Sequence, residues 1–288
     1  MVHATNLTKR YGRLTALHDV SFSIREGEIL GLIGPNGSGK TTLFECLGGV
    51  LPIDGGMVLQ DGRPLTARDR ASSLFYLPDG IAPWPSQTVR WALGFVQQFF
   101  QGSAPSATKN VKCPTPDPAP DPTPDRTLGP TPLPTRGRTP GPTLLPTRGR
   151  TPCPTPSVAE VIGQLDLEVI LDSTIGTLSK GQRKRALLAM GLLIPRPILL
   201  ADEPFEGLDL RQSRDVAQTL RTHAAAGRTM FLSIHQIGDA ARVCDRFVLL
   251  SGGRVCGEGT LPELSALAAA RSGSAATDDL EEVFLALT

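Results

Sequence analysis

Gly34-Pro35-Asn36-Gly37-Ser38-Gly39-Lys40-Thr41 fits the spacing G-x-x-x-x-G-K-[ST]. Glycines at these places let backbone N–H groups turn inward around phosphate oxygens. A helix starting at their end adds its positive N-terminus. In such a loop Lys40 reaches the β- and γ-phosphates, the Thr41 hydroxyl suits a Mg²⁺ position, and Thr42 belongs to the same first helical turn. With Gly at ~7% of residues, the four fixed positions match by chance roughly 0.01 times in a chain of this size. The segment therefore predicts nucleotide binding.

Ile198-Leu199-Leu200-Ala201-Asp202-Glu203 adds an apolar run that delivers two carboxylates at its end, where sites in α/β sheets lie. Beside a phosphate loop, Asp202 holds Mg²⁺, usually through water, and Glu203 orients or deprotonates the attacking water. Leu178-Ser179-Lys180-Gly181-Gln182 is a third segment. Ser179 and Gly181 open a helix, so hydroxyl, amides and dipole converge on an anion. Taken alone, Ser-Lys-Gly-Gln reads as an ordinary N-capped basic helix.

With these three segments in this order, the chain resembles the ATP-binding cassette (ABC) ATPases, and specifically the ATP-binding subunits of ABC-2 or exporter-type transporters. The family signature LSGGQ is matched at Leu178, Ser179, Gly181 and Gln182, with Lys180 in place of the first glycine. Tyr11 stands where the family stacks an aromatic ring on adenine. Gly207-Leu208-Asp209 resembles the loop that crosses the dimer interface. His235, two residues beyond a predicted strand, matches the histidine that hydrogen-bonds the γ-phosphate. The likeness runs from Val2 to about Ser251, and Glu281–Leu287 resembles the C-terminal helix of the exporter type.

The resemblance implies ATP and Mg²⁺ as cofactors, with Thr41, Asp79 and Asp202 on the metal side and Lys40, Glu203 and His235 as catalytic residues. It implies that Gly34 to Thr42 cradle the phosphates, while Ser179, Gly181 and Gln182 close on the γ-phosphate held by the other subunit. The partners implied are a transmembrane permease and a second ABC ATPase, in a homodimer or a heterodimer. One departure stands out. The family carries a glutamine after the strand that here ends Tyr76-Leu77-Pro78-Asp79. An aspartate there still offers oxygen to Mg²⁺ but adds negative charge near the phosphates. It predicts retuned rather than abolished hydrolysis.

Placing these residues requires an α/β layered fold. Ile29–Ile33, Ile198–Ala201, Thr229–Ser233 and Arg246–Ser251 are short apolar runs suited to a mostly parallel sheet buried on both faces. Met57–Gln60 and Leu74–Leu77 read as further short strands, and Val20–Ile24 alternates as in a small antiparallel region beside the core. Leu43–Val50, Leu178–Leu193 and Leu210–Ala226 read as helices. Gln87–Phe100 predicts an amphipathic helix with Val89, Leu93, Val96, Phe99 and Phe100 on its inward side. Ser157 followed by Glu160 has capping-box spacing. The fold expected is a P-loop NTPase core with a small N-terminal antiparallel β region and a helical subdomain between Asp79 and Leu178. Pro83-Trp84-Pro85 in that subdomain places an aromatic either against the membrane partner or in the core.

That helical part is interrupted. Sixteen of the chain's 26 prolines lie between Pro105 and Pro156, with 11 threonines, no aromatic residue and two copies of LPTRGRTP. Such a stretch cannot bury enough apolar surface to offset chain entropy, and it predicts a disordered insert at 105–156 of polyproline-II character. The cassette then comprises 1–104 and 157–288. The expectation is a neutral spacer whose excision leaves ATP hydrolysis intact. Seven Lys/Arg and three Asp give the insert +4, so the overall charge of +1 hides a slightly acidic body of −3. Neither value suits a specific nucleic-acid binder. Cys46, Cys113, Cys153, Cys244 and Cys256 show no CxxC pair, which fits a reduced, cytoplasmic setting. No apolar run reaches 18 residues, so membrane contact is expected through the partner, on the cytoplasmic face.

The rivals are other mechanical ABC ATPases and a non-hydrolysing regulatory cassette. A DNA-repair type would carry a coiled-coil insertion, and the insert has no heptads. A translation-associated type would carry two cassettes. The regulatory reading is motivated by Asp79 and Lys180 and opposed by intact Lys40, Asp202, Glu203 and His235.

Overall fold

The computed structural model describes residues 1–101, 155–272 and 277–288. The insert expected at 105–156, with Cys113 and Cys153, lies outside the described residues except for its last two positions.

The chain opens with two long strands, β1 (Val2–Tyr11) and β2 (Leu14–Ile24), then β3 (Ile29–Ile33), the phosphate-type loop and α1 (Lys40–Leu47). Next come β4 (Gly55–Gln60), β5 (Arg63–Pro64), α2 (Ala67–Ser73), β6 (Leu74–Leu77) and α3 (Val89–Gln101). After the insert follow α4 (Val158–Gln164), α5 (Lys180–Leu193), β7 (Ile198–Asp202), α6 (Leu210–Ala225), β8 (Thr229–Ser233) and α7 (Ile237–Val243). The chain ends with β9 (Arg246–Ser251), β10 (Arg254–Gly259), α8 (Leu261–Ser272) and α9 (Leu280–Leu287).

Among the described residues the strands form two sheets. The central one runs β10-β9-β3-β8-β7-β6, parallel except for the β9–β10 hairpin. The other runs β2-β1-β4-β5 and is antiparallel. It is larger than the small region expected from Val20–Ile24, because β1 mixes Asn6, Lys9 and Arg10 among its apolar residues and its alternation is broken by register shifts.

Every residue of β3, β7 and β8 is buried, the condition that makes their sequences apolar but for the end residues Asp202, Thr229 and Ser233. Period-two alternation splits each strand between two cores. Leu30, Leu32, Leu200, Phe231 and Val248 pack with α1 and the antiparallel sheet, around Phe22 and Phe44. Ile29, Ile33, Leu199, Met230 and Leu249 face the opposite side, with α3 to α7. The sheet is thus a rigid middle layer.

The helical part rejoins across the insert. Val89 N–H donates to Ser173 O at 3.1 Å and Arg90 N–H to Leu171 O at 2.9 Å. The Ser157 capping box forms as its spacing predicts, with Glu160 N–H donating to Ser157 Oγ at 3.2 Å and Ser157 N–H to Glu160 Oε2 at 2.6 Å. On α3, Val89, Leu93 and Val96 are buried as expected, but Phe99 is 55% exposed. It stacks on Phe95 at 5.8 Å between ring centroids, and Phe95 stacks in turn on Trp91 and meets Trp84 edge-on, both at 5.1 Å. Trp91 packs against the core, whereas Phe95 and Phe99 lie outside it and are covered by one another and by Trp84 in the preceding loop.

Candidate nucleotide site

The phosphate-type loop links β3 to α1, and its glycines answer specific demands. Gly39, the N-cap of α1, has φ +102°, and a Cβ there would lie 2.8 Å from Ala16 O. Only glycine relieves both constraints. No side chain caps α1, so its first amides keep their donors free. Inside the loop the 7%-exposed Lys40 donates from Nζ to Gly34 O at 2.8 Å and to Pro35 O at 3.2 Å. Ser38 Oγ is buried without a partner. An N-terminus with free amides, an enclosed ammonium and an orphaned hydroxyl have the chemistry to receive an oxyanion.

The carboxyl end of β7 approaches this loop because β3 and β7 both border β8. Thr41 Oγ1 donates to Asp202 Oδ2 at 3.0 Å, Ser233 Oγ donates to Asp202 Oδ1, and Tyr76 OH reaches Oδ2 at 3.5 Å. Burial and the Asp202 charge push the Tyr76 phenol upward. Three hydroxyls around one buried carboxylate form a hard-oxygen set that fits Mg²⁺. Among the described residues no cluster of three or more His, Cys, Asp or Glu forms a metal cage. Mg²⁺ commonly binds through one or two protein oxygens plus substrate phosphates, and this donor set accommodates that mode.

Glu203 follows in a left-handed conformation, φ +51°, rare for glutamate, held by its N–H donating to Ser233 O at 3.1 Å and Ser233 Oγ at 3.0 Å. Burial pushes its carboxyl up and the Asp202 charge adds to this, while Lys40 pulls the other way and the net shift is upward. A carboxyl biased toward holding a proton is suited to general-base work.

A cavity of about 690 Å³ joins these groups. Of the residues the sequence singled out, Tyr11, Asn36, Gly37, Gly39, Lys40, Thr41, Thr42, Asp79, Asp202, Glu203 and His235 line it. Gly34, Pro35 and Ser38 form the turn behind the lining. Ser179, Gly181 and Gln182 stand apart from it. Gln182 N–H donates to Ser179 Oγ at 3.2 Å, and Ser179 N–H donates to Gln182 Oε1 at 3.0 Å, closing a capping box on α5. A Cβ on Gly181 would lie 2.6 Å from Gly207 O, so that glycine permits close packing on the loop after β7.

Sequence reasoning missed three groups. Ser233 and Tyr76 orient Asp202, and polar residues at the ends of apolar strands were the available signal. Lys184, on α5, is 5% exposed and pairs with Asp79. Burial pushes the Asp79 carboxyl up, but the hydrogen bond and charge of Lys184 outweigh it, so the net shift is downward.

The model of the family described as "ABC transporter" matches residues 17–206. The chain is 30% identical over 261 residues to the hemin import ATP-binding protein HmuV of Thermobifida fusca, covering 91% of this chain and 77% of that protein. It is 29% identical to the Nod factor export ATP-binding protein I of Burkholderia orbicola, covering 88% and 69%. A solved ATP-binding subunit of an ABC transporter superposes with a TM-score of 0.70 at 22% identity, over 100% of this chain and 99% of that one. A dimeric bacterial ABC transporter cassette superposes at 0.63, with 22% identity over 90% and 98%.

Proposed function

This chain belongs to the ABC transporter family as an ATP-binding subunit that hydrolyses ATP, and from that premise we propose how its residues divide the work. The observation that carries the proposal is the single cavity lined by Lys40, Thr41, Asp202, Glu203 and His235, with Ser179 and Gln182 outside it. The loop Gly34 to Thr42 holds the phosphates and Tyr11, 45% exposed at the cavity rim, stacks on adenine. Lys40 neutralises the γ-phosphate, Glu203 takes a proton from the attacking water, and His235 positions the transferring group. Thr41, Asp202 and Asp79 would hold Mg²⁺, which would supply charge neutralisation to the phosphates.

Ser179 completes the site from a second chain. Its Oγ accepts from Gln182 N–H, which leaves the hydroxyl proton free to donate to an anion. Two copies, or this chain and a related one, then sandwich two nucleotides. The test is E203Q. It should bind ATP, lose turnover by about 10²–10⁴-fold and accumulate a dimer in size-exclusion chromatography. Turnover at the parental rate would reject the assignment.

The machine's partner is a transmembrane permease, met through the helical part. The exposed aromatic ladder Trp84, Phe95 and Phe99 supports this reading, since aromatic residues are enriched at protein interfaces. Among the described residues no helix is long and apolar enough to cross a membrane, which fits a peripheral place on the cytoplasmic face. We favour export on the likeness of the Glu281–Leu287 segment, within α9, to exporter-type subunits. Identifying the hydrophobic chain that co-purifies from membranes tests both points, and recovery of only soluble partners would overturn the permease reading.

A further inference from the structure

Among the described residues, five carboxylates line the cavity, Asp79, Asp202, Glu203, Glu206 and Asp239, against one lysine, Lys40. Unrelieved, that wall would repel a triphosphate. Relief comes partly from the lining hydroxyls of Thr41 and Ser233 and partly from cations outside the lining. Arg242 pairs with Asp239 at 3.1 Å, and Asp202 sits among hydroxyls. The other two counter-ions come from one face of α5. Lys180 pairs with Glu206 and Lys184 pairs with Asp79. Their spacing of four residues puts both ammonium groups over the same wall.

The two pairs differ in weight. Lys180 and Glu206 have side chains 56% and 42% exposed, so water screens them and their coupling is small. The side chains of Lys184 and Asp79 are 6% and 33% exposed, and Lys184 Nζ also donates to Asp202 O at 3.4 Å. That ammonium therefore binds the loop after β6, the end of β7 and the helix behind Ser179 into one unit.

We propose that Lys184 is a positioning residue for the nucleotide site, neutralising Asp79 and tying it to α5, so that an ion pair fills the place an uncharged amide would occupy. This rests on the cavity being the ATP site and names how its wall is tuned. The chain tolerates an acid at 79 because Lys184 cancels its charge toward the phosphates. A further consequence is mechanical, since displacement of α5 is felt at Asp79 through one short link.

The experiment measures binding of a fluorescent ATP analogue to the full chain, once in EDTA and once in Mg²⁺, for the parent, K184Q, K184R, D79Q and D79Q/K184Q. K184Q leaves Asp79 uncompensated and should weaken binding about 10-fold in EDTA, and less in Mg²⁺, which offsets ligand charge. A merely structural loss would weaken both conditions equally. K184R keeps the charge and should stay within about 3-fold of the parent. D79Q leaves a buried ammonium unpaired and should lower the melting temperature. The double variant, neutral at both places, should recover melting temperature and the affinity in EDTA, where Asp79 holds no metal, a non-additive result. Additive losses in the double variant, or equal weakening in EDTA and Mg²⁺, would overturn the proposal. If K184Q does not fold, the double variant and K184R decide the matter, and a double variant weaker than the parent by more than K184R overturns it. Failure of the parent itself to bind the analogue would instead overturn the nucleotide reading.

Discussion

Two segments of this chain turn into helix N-termini with anion-binding composition, and they are finished differently. At α1 the N-cap is Gly39 and no side chain caps the helix, so the amides stay open to a ligand. At α5 the N-cap is Ser179, whose hydroxyl and backbone N–H are both engaged with Gln182. The first end lines a cavity with Lys40, Thr41 and Asp202, whereas the second lies apart from it. Composition alone treats the two alike. The α1 end leaves its first amides without a side-chain cap, whereas the α5 end is closed on itself and keeps only a hydroxyl proton to offer, which is the division of labour proposed above.

The sharpest way to break that contrast is to inactivate the ends in separate chains. K40A should lose ATP binding and turnover, by about 10³-fold in rate, because among the described residues Lys40 is the ammonium that lines the cavity. S179A should keep ATP binding and lose turnover. If the α5 end serves a partner's cavity, mixing K40A with S179A regenerates one intact site in each mixed dimer and restores about a quarter of parental turnover on random pairing. Absence of any recovery, with mixed dimers verified by mass, would place both ends in one chain's site.

A smaller effect bears on the α1 end itself. Gly39 has φ +102° and faces Ala16 O. G39A should cost about 1–3 kcal/mol in unfolding free energy, read by denaturant titration, and should weaken ATP binding. An unchanged unfolding midpoint would mean that the loop's shape is not fixed by Gly39.

Much of this was legible in the sequence because its cause is local. Mostly apolar runs at Ile29–Ile33, Thr229–Ser233 and Arg246–Ser251 coincide with observed strands, since strands buried on both faces are apolar except where a polar end residue such as Thr229, Ser233 or Arg246 has a hydrogen-bond partner. The phosphate-type loop was legible because glycine is demanded by backbone geometry. Lys184 was not, since a lysine on a helix reads as solvated and its partner Asp79 lies 105 residues away. The exposure of Phe99 was missed for a related reason. Helical periodicity tells which residues share a face, but not that Phe95 and Phe100 would cover Phe99 outside the core. The extent of β1 escaped because its bulges break the alternation.

The finest test uses a control already present in the fold. Ser157 on α4 makes the same capping box as Ser179, with the N3 amide donating to the serine Oγ at 3.2 Å in both. Loss of either hydroxyl removes one helix-capping bond and should cost about 1 kcal/mol. In a domain of this size that lowers the melting temperature by about 2–4 °C. S157A and S179A should therefore melt alike by calorimetry. Only S179A should lose turnover, because only the α5 hydroxyl has an anion to meet. Equal loss of turnover in both variants would mean that Ser179 acts through helix stability alone, and the distinction between an open and a closed helix end would carry no functional content.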